Sequence, residues 1–530
     1  MKRPLLLNGF AGVGKSTVGR LVAQRLSRPF IDLTNRSANN GPFPPPSEAP
    51  SRVAERKTLR SALTAWRQDS SQPPVVALGA DTLLSRDDRL VALDECVVAL
   101  LEASPEKVLE RDSLQARATP ANADACAEIA EQMSLREGAY AECHGKVTDT
   151  GLMPEAMASK VERLWERDPL AVAAKERSYA VDVGKGNSSS ELGGAVGSAS
   201  LVMLITDENV APLHAEGVRQ TLLAAGLQCA TIVFHAGEQH KNLETMNEIW
   251  KQALASGADR SSVFVALGGG VVTDIGGFAA SAWMRGVRWV SVPTTLLGMV
   301  DASVGGKTGV DLLNAKNAVG AFWQPSAVLC DTSHLRTEPE RGFVSALAEV
   351  VKTALIGDPG LLDILEQQSA DVRRRDLDAI SEVVRRCVRV KARVVSRDER
   401  EGGLRATLNL GHTIGHALEA GAGYTGLTHG EAISLGLVAA VRIGQKQGWT
   451  PPAVAERTVA LLRKLGLPVS LDRDALTRAA SLIFHDKKRQ GTMLRFVVVH
   501  DVGRVEPTPV PVDDLARWAA DLEPRGASLH

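Results

Sequence analysis

The sequence predicts an α/β protein: a parallel sheet built round a phosphate loop, then a second α/β region, then a mainly helical one. Three observations carry this. An apolar strand, a glycine-rich turn ending in Lys15-Ser16 and a helical pattern follow one another at the N-terminus. Strand and helix patterns alternate over residues 1–168 and again over 169–336. From 337 to 530 apolar runs largely give way to helical periodicity.

In the first region Leu5-Leu6-Leu7 is a strand and Thr17–Leu26 a helix. Val75–Leu78 and Val97–Leu101 are further strands, with helical patterns over Asn122–Tyr140 and Pro154–Trp165. Prolines 42, 44, 45, 46 and 50 fall within Arg36–Arg52 and predict a loop, since proline blocks helix interiors and central strands. Gly184–Ser200 is rich in Gly and Ser and reads as a flexible surface loop. The second region offers strands at Leu201–Ile205, Ala230–Phe234, Val263–Leu267, Trp289–Val292 and Ala327–Leu329, with helices at Leu243–Ser256 and Asp274–Met284. After Thr337 helices dominate to Phe484, and a short hairpin, Leu494–His500 with Arg504-Val505, follows. A cleft is expected between the α/β and helical halves.

Composition excludes several classes. The 530 residues suggest three or four folding units, with 44% hydrophobic and 23% charged residues. Lys and Arg number 61 against 62 Asp and Glu, a net charge of −1, so neither a strongly basic nucleic-acid binder nor an acidic tail protein is expected. Small phosphorylated ligands remain possible. Six scattered cysteines without a Cys-x-x-Cys pair fit a reducing, cytoplasmic compartment. The apolar start is broken by Asn8, Gly9 and Lys15, unlike a signal peptide, and no run of 18 apolar residues exists, so no membrane association is expected.

Gly9-Phe10-Ala11-Gly12-Val13-Gly14-Lys15-Ser16 fits the phosphate-loop pattern in its proper context of strand, loop and helix. Gly12 and Gly14 let N–H groups converge on phosphates, Lys15 neutralises charge, and Ser16 can ligate Mg²⁺. ATP with Mg²⁺ is the expected ligand, with Thr17 beside it.

A second glycine turn, Gly268-Gly269-Gly270-Val271-Val272-Thr273-Asp274, joins the Val263 strand to a helix. It allows close approach of a pyrophosphate at a helix N-terminus but is not the Gly-x-Gly-x-x-Gly fingerprint. Pro293-Thr294-Thr295 and Gly305-Gly306-Lys307-Thr308 offer further amides, hydroxyls and a cation.

Asn409-Leu410-Gly411-His412-Thr413-Ile414-Gly415-His416 places two histidines four residues apart on one helix face, and His429-Gly430-Glu431 follows. With Glu349 on an earlier helix, two His and one Glu make a normal zinc set with an open position. Cations also accumulate at Arg285, Lys307, Lys316, Lys352, Lys391, Arg405, Lys487 and Lys488, as an anionic substrate needs.

The first region resembles shikimate kinase over about residues 1–165. Phe30-Ile31-Asp32 matches that family's Mg²⁺-associated aspartate, Arg52-Val53-Ala54-Glu55 its shikimate-binding Arg-x-x-Glu, Arg117 its lid arginine, and Arg136 with Tyr140 its late Arg-x-x-x-Tyr. The resemblance implies that Arg52 and Arg136 hold shikimate. Three departures stand out. Thr34 replaces an aspartate that binds shikimate hydroxyls, Gly79-Ala80-Asp81 replaces a Gly-Gly-Gly substrate loop, and the proline-rich insert begins the substrate segment.

Residues 171–520 resemble 3-dehydroquinate synthase. The likeness runs through Gly237-Glu238-Gln239-His240-Lys241, Leu267 to Asp274, Pro293 to Leu297, Asp301 to Lys307, Lys316-Asn317, Ala348 to Lys352, Asn409 to His412 and His429-Gly430-Glu431. It implies that Glu349, His412 and His429 bind Zn²⁺ or Co²⁺. It implies an NAD site lined by Asp207, Glu238, Lys241, Gly269, Gly270, Val271, Asp274, Thr294 and Thr295. Asp301, Lys307, Asn317, Lys352, Lys391, Arg405, Asn409, His416 and Lys487, with Arg285 and Lys316, would hold the substrate. The departures, Thr273, Gly298-Met299 and Ala302, touch neither the metal ligands nor the lysines. By that likeness the substrate is a seven-carbon sugar acid phosphate, transiently oxidised by NAD so that phosphate can be eliminated, and then closed to a carbocycle without net redox change.

The whole reads as a fusion of two enzymes of the shikimate pathway acting on small molecules, with a homodimer expected through the synthase part. Another sugar-phosphate cyclase, a metal-dependent polyol dehydrogenase, and a non-catalytic nucleotide-binding first region stand as alternatives.

Overall fold

Leu5, Leu6 and Leu7 are all buried because strand Leu5–Asn8 lies in the middle of a five-stranded parallel sheet, covered on both faces. The computed structural model describes residues 2–34, 50–68, 72–114, 123–149, 151–313, 315–421, 426–483, 489–490 and 492–522. They fall into two units, Met1–Asp182 and Val183–His530.

In the first unit the strand order is Phe30–Asp32, Val75–Ala77, Leu5–Asn8, Val97–Glu102, Gly145–Thr148. All neighbours are parallel, so the strands end on one edge, where the phosphate loop opens into helix Lys15–Arg25. The single helix expected over Asn122–Tyr140 is two, Ala123–Ser134 and Glu137–Ala141, with Arg136 at the break. Most of the proline-rich loop lies outside the described residues. Its last proline instead opens helix Pro50–Gln68, a position where a missing N–H costs nothing.

The second unit has five parallel strands in the order Ala327–Asp331, Arg288–Pro293, Val263–Gly268, Val202–Asp207, Cys229–Phe234. Val263–Gly268 is buried at every residue, as a central parallel strand must be. The stretch Gly184–Ser200 is not the expected flexible loop. It forms helices Asn187–Ser190 and Leu192–Val196, with Leu192 and Val196 buried. The buried Asp331 carboxylate accepts from Gly186 N at 2.9 Å and Ser188 Oγ at 2.6 Å, and this tertiary anchor overrides the local glycine and serine content. An antiparallel pair, Lys307–Leu312 with Ala315–Phe322, was not legible from periodicity.

Beyond it come the long helices Glu340–Gly357, Leu377–Arg397 and His429–Lys446, with the shorter His412–Gly421 between the last two. Three of these meet through bare backbone. A Cβ on Gly436 would lie 2.1 Å from Gly411 O, and one on Gly430 only 1.9 Å from Ser345 O. The terminal hairpin, Met493–Asp501 with Arg504–Pro511, is longer than expected.

Candidate active site

The glycine contacts between helices bring the histidines to Glu349. His412 Nε2 lies 3.5 Å and His429 Nε2 3.4 Å from Glu349 Oε1. The carboxylate is 1% exposed, and neither oxygen makes a hydrogen bond of proper geometry, although Lys352 Nζ lies against Oε2. Burial opposes its charge, but Lys352 and His429 overcome that and hold its pKa at about 2. His412 Nδ1 faces Leu410 O at 3.1 Å, which fixes the tautomer that leaves Nε2 as a lone pair towards the carboxylate. The His416 ring stands 5.1 Å from His412 and 5.7 Å from His429, so a three-histidine grouping coexists with the Glu-His-His one. A buried carboxylate facing two imidazole nitrogens is a donor set that suits a divalent cation, which would take the place of the proton His429 otherwise carries.

Glu419 was missed by sequence reasoning. It lies seven residues after His412 on the same helix face, a spacing that could have found it. Its carboxylate stands 3.6 Å from His429 Nδ1 and accepts from Lys316 Nζ at 2.6 Å. Burial raises its pKa, but His429 and Lys316 bring it down to about 2. The same two carboxylates draw His429 up to about 9 despite its burial.

The predicted cations continue from this centre. Lys391 Nζ bonds the Asp301 carboxylate at 2.5 Å. Burial pushes Asp301 up, yet Lys391 and Lys352 hold it at about 2. Arg405 is buried and donates to Gly305 O at 3.1 Å. Lys307 pairs with Glu401, which also accepts from Asn409 Nδ2 at 2.8 Å. Glu401, a second residue that sequence reasoning missed, therefore ties two expected substrate groups together. Arg285 stands apart: it is exposed at φ 69°, and no described residue bonds to it. Lys487 lies outside the described residues.

The glycine turn opens helix Gly270–Ala282, which starts four residues earlier than expected and places Asp274 in its second turn. Thr294 N donates to Gly268 O at 2.9 Å, and a Cβ on Gly269 would meet Thr295 at 3.2 Å, so these segments form one cradle. Buried Lys241 donates to Asp274 at 2.6 Å and to Asn317 at 2.5 Å. Burial raises Asp274 to about 6 against the pull of Lys241, and the nearby Asp301 adds to the rise. Asp301 thus acts on the Gly269–Asp274 turn and is acted on by Glu349. Asp207 is spent on its own turn, accepting from Asn209 N and Val210 N at 2.9 Å, and Glu238 is exposed on the next segment.

In the first unit Gly12 and Gly14 take φ of 78° and 97°, a conformation only glycine adopts cheaply, as a phosphate cradle demands. Lys15 is buried and donates to Gly9 O and Phe10 O, both at 2.7 Å. Burial lowers its pKa to about 8 against the pull of Asp32, Glu55 and Asp81. Ser16 Oγ, Thr34 Oγ1 and Asp32 form a chain of contacts at 2.9 and 2.6 Å. Thr17 is exposed at the helix start. Arg111, not foreseen, donates to Gly12 O at 3.3 Å and pairs with Asp149. Arg136 Nε bonds Asp81 Oδ1 at 2.9 Å. Arg117 and the Arg52 side chain lie outside the described residues.

Residues 231–345 match the model of the 3-dehydroquinate synthase N-terminal domain, and 346–489 that of its C-terminal domain. A 3-dehydroquinate synthase from a Geobacter species is 42% identical over 338 residues, spanning 63% of this chain and 93% of that protein. The chain belongs to the 3-dehydroquinate synthase family. A second member, from Pelobacter propionicus, is 45% identical over 307 residues, 58% of this chain and 86% of its own.

Two solved relatives of the dehydroquinate synthases share this fold. One is 2-deoxy-scyllo-inosose synthase complexed with carbaglucose-6-phosphate, NAD⁺ and Co²⁺, at 26% identity and TM-score 0.59, covering 67% of this chain and 99% of that one. The other is 2-epi-5-epi-valiolone synthase from Streptomyces hygroscopicus with NAD⁺ and Zn²⁺, at 29% identity and TM-score 0.59, covering 66% and 97%. Residues 11–165 match the shikimate kinase family model, so the dehydroquinate synthase is joined to a shikimate kinase-like unit. Among the described residues no helix is long and apolar enough to cross a membrane.

Proposed function

We propose that the second unit converts 3-deoxy-D-arabino-heptulosonate 7-phosphate to 3-dehydroquinate and phosphate, and that the first phosphorylates shikimate from ATP with Mg²⁺. The observation that carries the synthase reading is the meeting of Glu349, His412 and His429, far apart in the chain, beside the Gly269–Asp274 cradle.

Glu349, His412 and His429 would hold Zn²⁺ or Co²⁺, and Gly269, Gly270, Val271, Asp274, Thr294, Thr295, Lys241, Asp207 and Glu238 would line the NAD site. When bound, the cation supplies Lewis acidity and NAD reversible hydride transfer. The chain's own groups do the rest. The substrate carries a carboxylate and a phosphate, and Lys352, Lys391, Arg405, Lys307 and Lys487 with Asn409 bind and orient these charges. Asp301, Glu401 and Glu419 hold the cations in place until the substrate arrives. His416, exposed beside the other two histidines, is positioned to hydrogen-bond the departing phosphate.

Identities of 42 and 45% to proteins named 3-dehydroquinate synthase, against 26 and 29% to the two other cyclases, favour this substrate over a different sugar phosphate. In the first unit Gly12, Gly14, Lys15, Ser16, Thr17 and Asp32 would hold ATP and Mg²⁺. The enzyme works in the cytoplasm as a homodimer through its synthase unit. The test is product analysis. Heptulosonate phosphate with NAD⁺ and Zn²⁺ yields dehydroquinate and phosphate in equal amounts, and added shikimate and ATP yield shikimate 3-phosphate. Sustained NADH accumulation would overturn the synthase reading in favour of a dehydrogenase.

A further inference from the structure

The acceptor end of the first unit carries an internal carboxylate on its buried arginine. Arg136 is 2% exposed and sits beside the phosphate loop, its guanidinium 5.6 Å from the Phe10 ring. Nε donates to Asp81 Oδ1 at 2.9 Å, and Nη1 donates to Gln132 O at 2.6 Å and Oε1 at 3.0 Å. Tyr140 Oη donates to Ala80 O at 2.8 Å, which pins the Asp81 segment to the helix that follows Arg136. Asp81 is close enough to the loop for its charge to act on Lys15, together with those of Asp32 and Glu55. The arginine and the phosphate-loop lysine therefore both reach Phe10, one at its ring and the other at its carbonyl, and Asp81 pairs with the first while its charge acts on the second.

An acceptor that bears a single carboxylate needs a buried cation to receive it. Lys15 is committed to phosphate. Arg111 is held by Asp149 and Gly12 O against the phosphate loop. Among the described residues Arg136 is a further buried cation beside the loop, and its charge is already balanced by Asp81. The Asp81 side chain is 15% exposed, so the pair is open to competition from an arriving anion rather than sealed in the core.

We infer that Asp81 is a specificity-determining residue of the kinase-like unit: it acts as a built-in counter-carboxylate on Arg136 and weakens binding of a carboxylated acceptor relative to a neutral one. This rests on the shikimate kinase reading given above. An incoming carboxylate must displace Asp81 or share the guanidinium with it, and two like charges at this range are worth a factor of about ten or more.

The test uses the full chain with MgADP bound and isothermal titration with shikimate and with its uncharged methyl ester. Asp81→Asn keeps the side chain's shape and removes the charge. Shikimate is expected to bind at least about tenfold more tightly to D81N than to the parent, with ester affinity unchanged. D81A serves if D81N fails to bind MgADP and so has not folded. If shikimate binds the variant no better, or the ester gains as much as the acid, the inference falls. Shikimate-dependent ATP consumption by the parent separates the two readings. Where the parent consumes ATP but D81N binds shikimate no better, only the inference is lost. Where neither parent nor variants bind shikimate and no ATP is consumed, the kinase reading falls and takes the inference with it.

Discussion

Replacing Gly430 by alanine adds a single methyl group at the point where helix His429–Lys446 touches helix Glu340–Gly357. That methyl would sit 1.9 Å from Ser345 O and 2.5 Å from Ser345 C, both backbone atoms with no side-chain torsion to relieve the clash. The two backbones must part by roughly 1–1.5 Å, and overpacking of this kind costs about 1–3 kcal/mol. The larger effect is on geometry. His429 precedes the contact by one residue, and Glu349 lies one turn beyond Ser345, so the parting falls directly between two of the proposed metal donors. Metal–ligand distances tolerate about 0.2 Å. A displacement several times larger is expected to lower Zn²⁺ affinity by at least about 100-fold, since even outer partners of ligands are worth 10–100-fold. Zinc content after dialysis against a graded zinc buffer, with a thermal melt of the same sample, measures both effects. A G430A protein that retains stoichiometric zinc at parental affinity would refute the argument that this glycine sets the spacing of the donors.

Other expectations follow from the same contacts. Asp274→Asn leaves buried Lys241 with one charged partner fewer, so the NAD⁺ dissociation constant should rise about 10–100-fold in a fluorescence titration while zinc content stays unchanged. Burial raises Asp149, but Lys107, Gly151 N–H and Arg111 overcome it and bring its pKa to about 2. A depressed carboxylate stabilises above its unfolded value and loses that stabilisation as pH falls through the folded one. D149N should therefore cost about 2 kcal/mol at pH 7, allowing for the partly exposed cations, with the gap to the parent closing between about pH 4 and 2 in denaturant melts. Exhaustive chelation followed by Mg²⁺ alone should abolish dehydroquinate formation and leave ATP turnover intact, whereas Lys15→Ala should do the reverse.

Much of the site was legible because its chemistry is written in short motifs. Gly268–Asp274, Asn409–His416 and His429–Glu431 each combine a turn or helix start with its functional side chains, so local sequence suffices. Strands such as Val263–Gly268 were equally plain, since a central parallel strand must be apolar throughout. The errors share a different cause. Gly184–Ser200 folds into helices because Asp331, more than 130 residues away, supplies the hydrogen bonds its own side chains do not. Glu401 and Glu419 look like ordinary acidic residues until Lys307, Asn409, Lys316 and His429 surround them.

By itself the sequence supplied the motifs on which the proposed chemistry rests: a phosphate loop, a glycine turn, a His-His-Glu set, and a run of cations. Those properties reside in the residue types and in spacings of a few positions. Only the tertiary structure decided who neutralises whom: Lys352 on Glu349, Lys391 on Asp301, Asp81 on Arg136. Electrostatic pairing depends on distance in space and on exclusion of water, and neither is defined until helices close against one another at contacts as tight as Gly430 on Ser345.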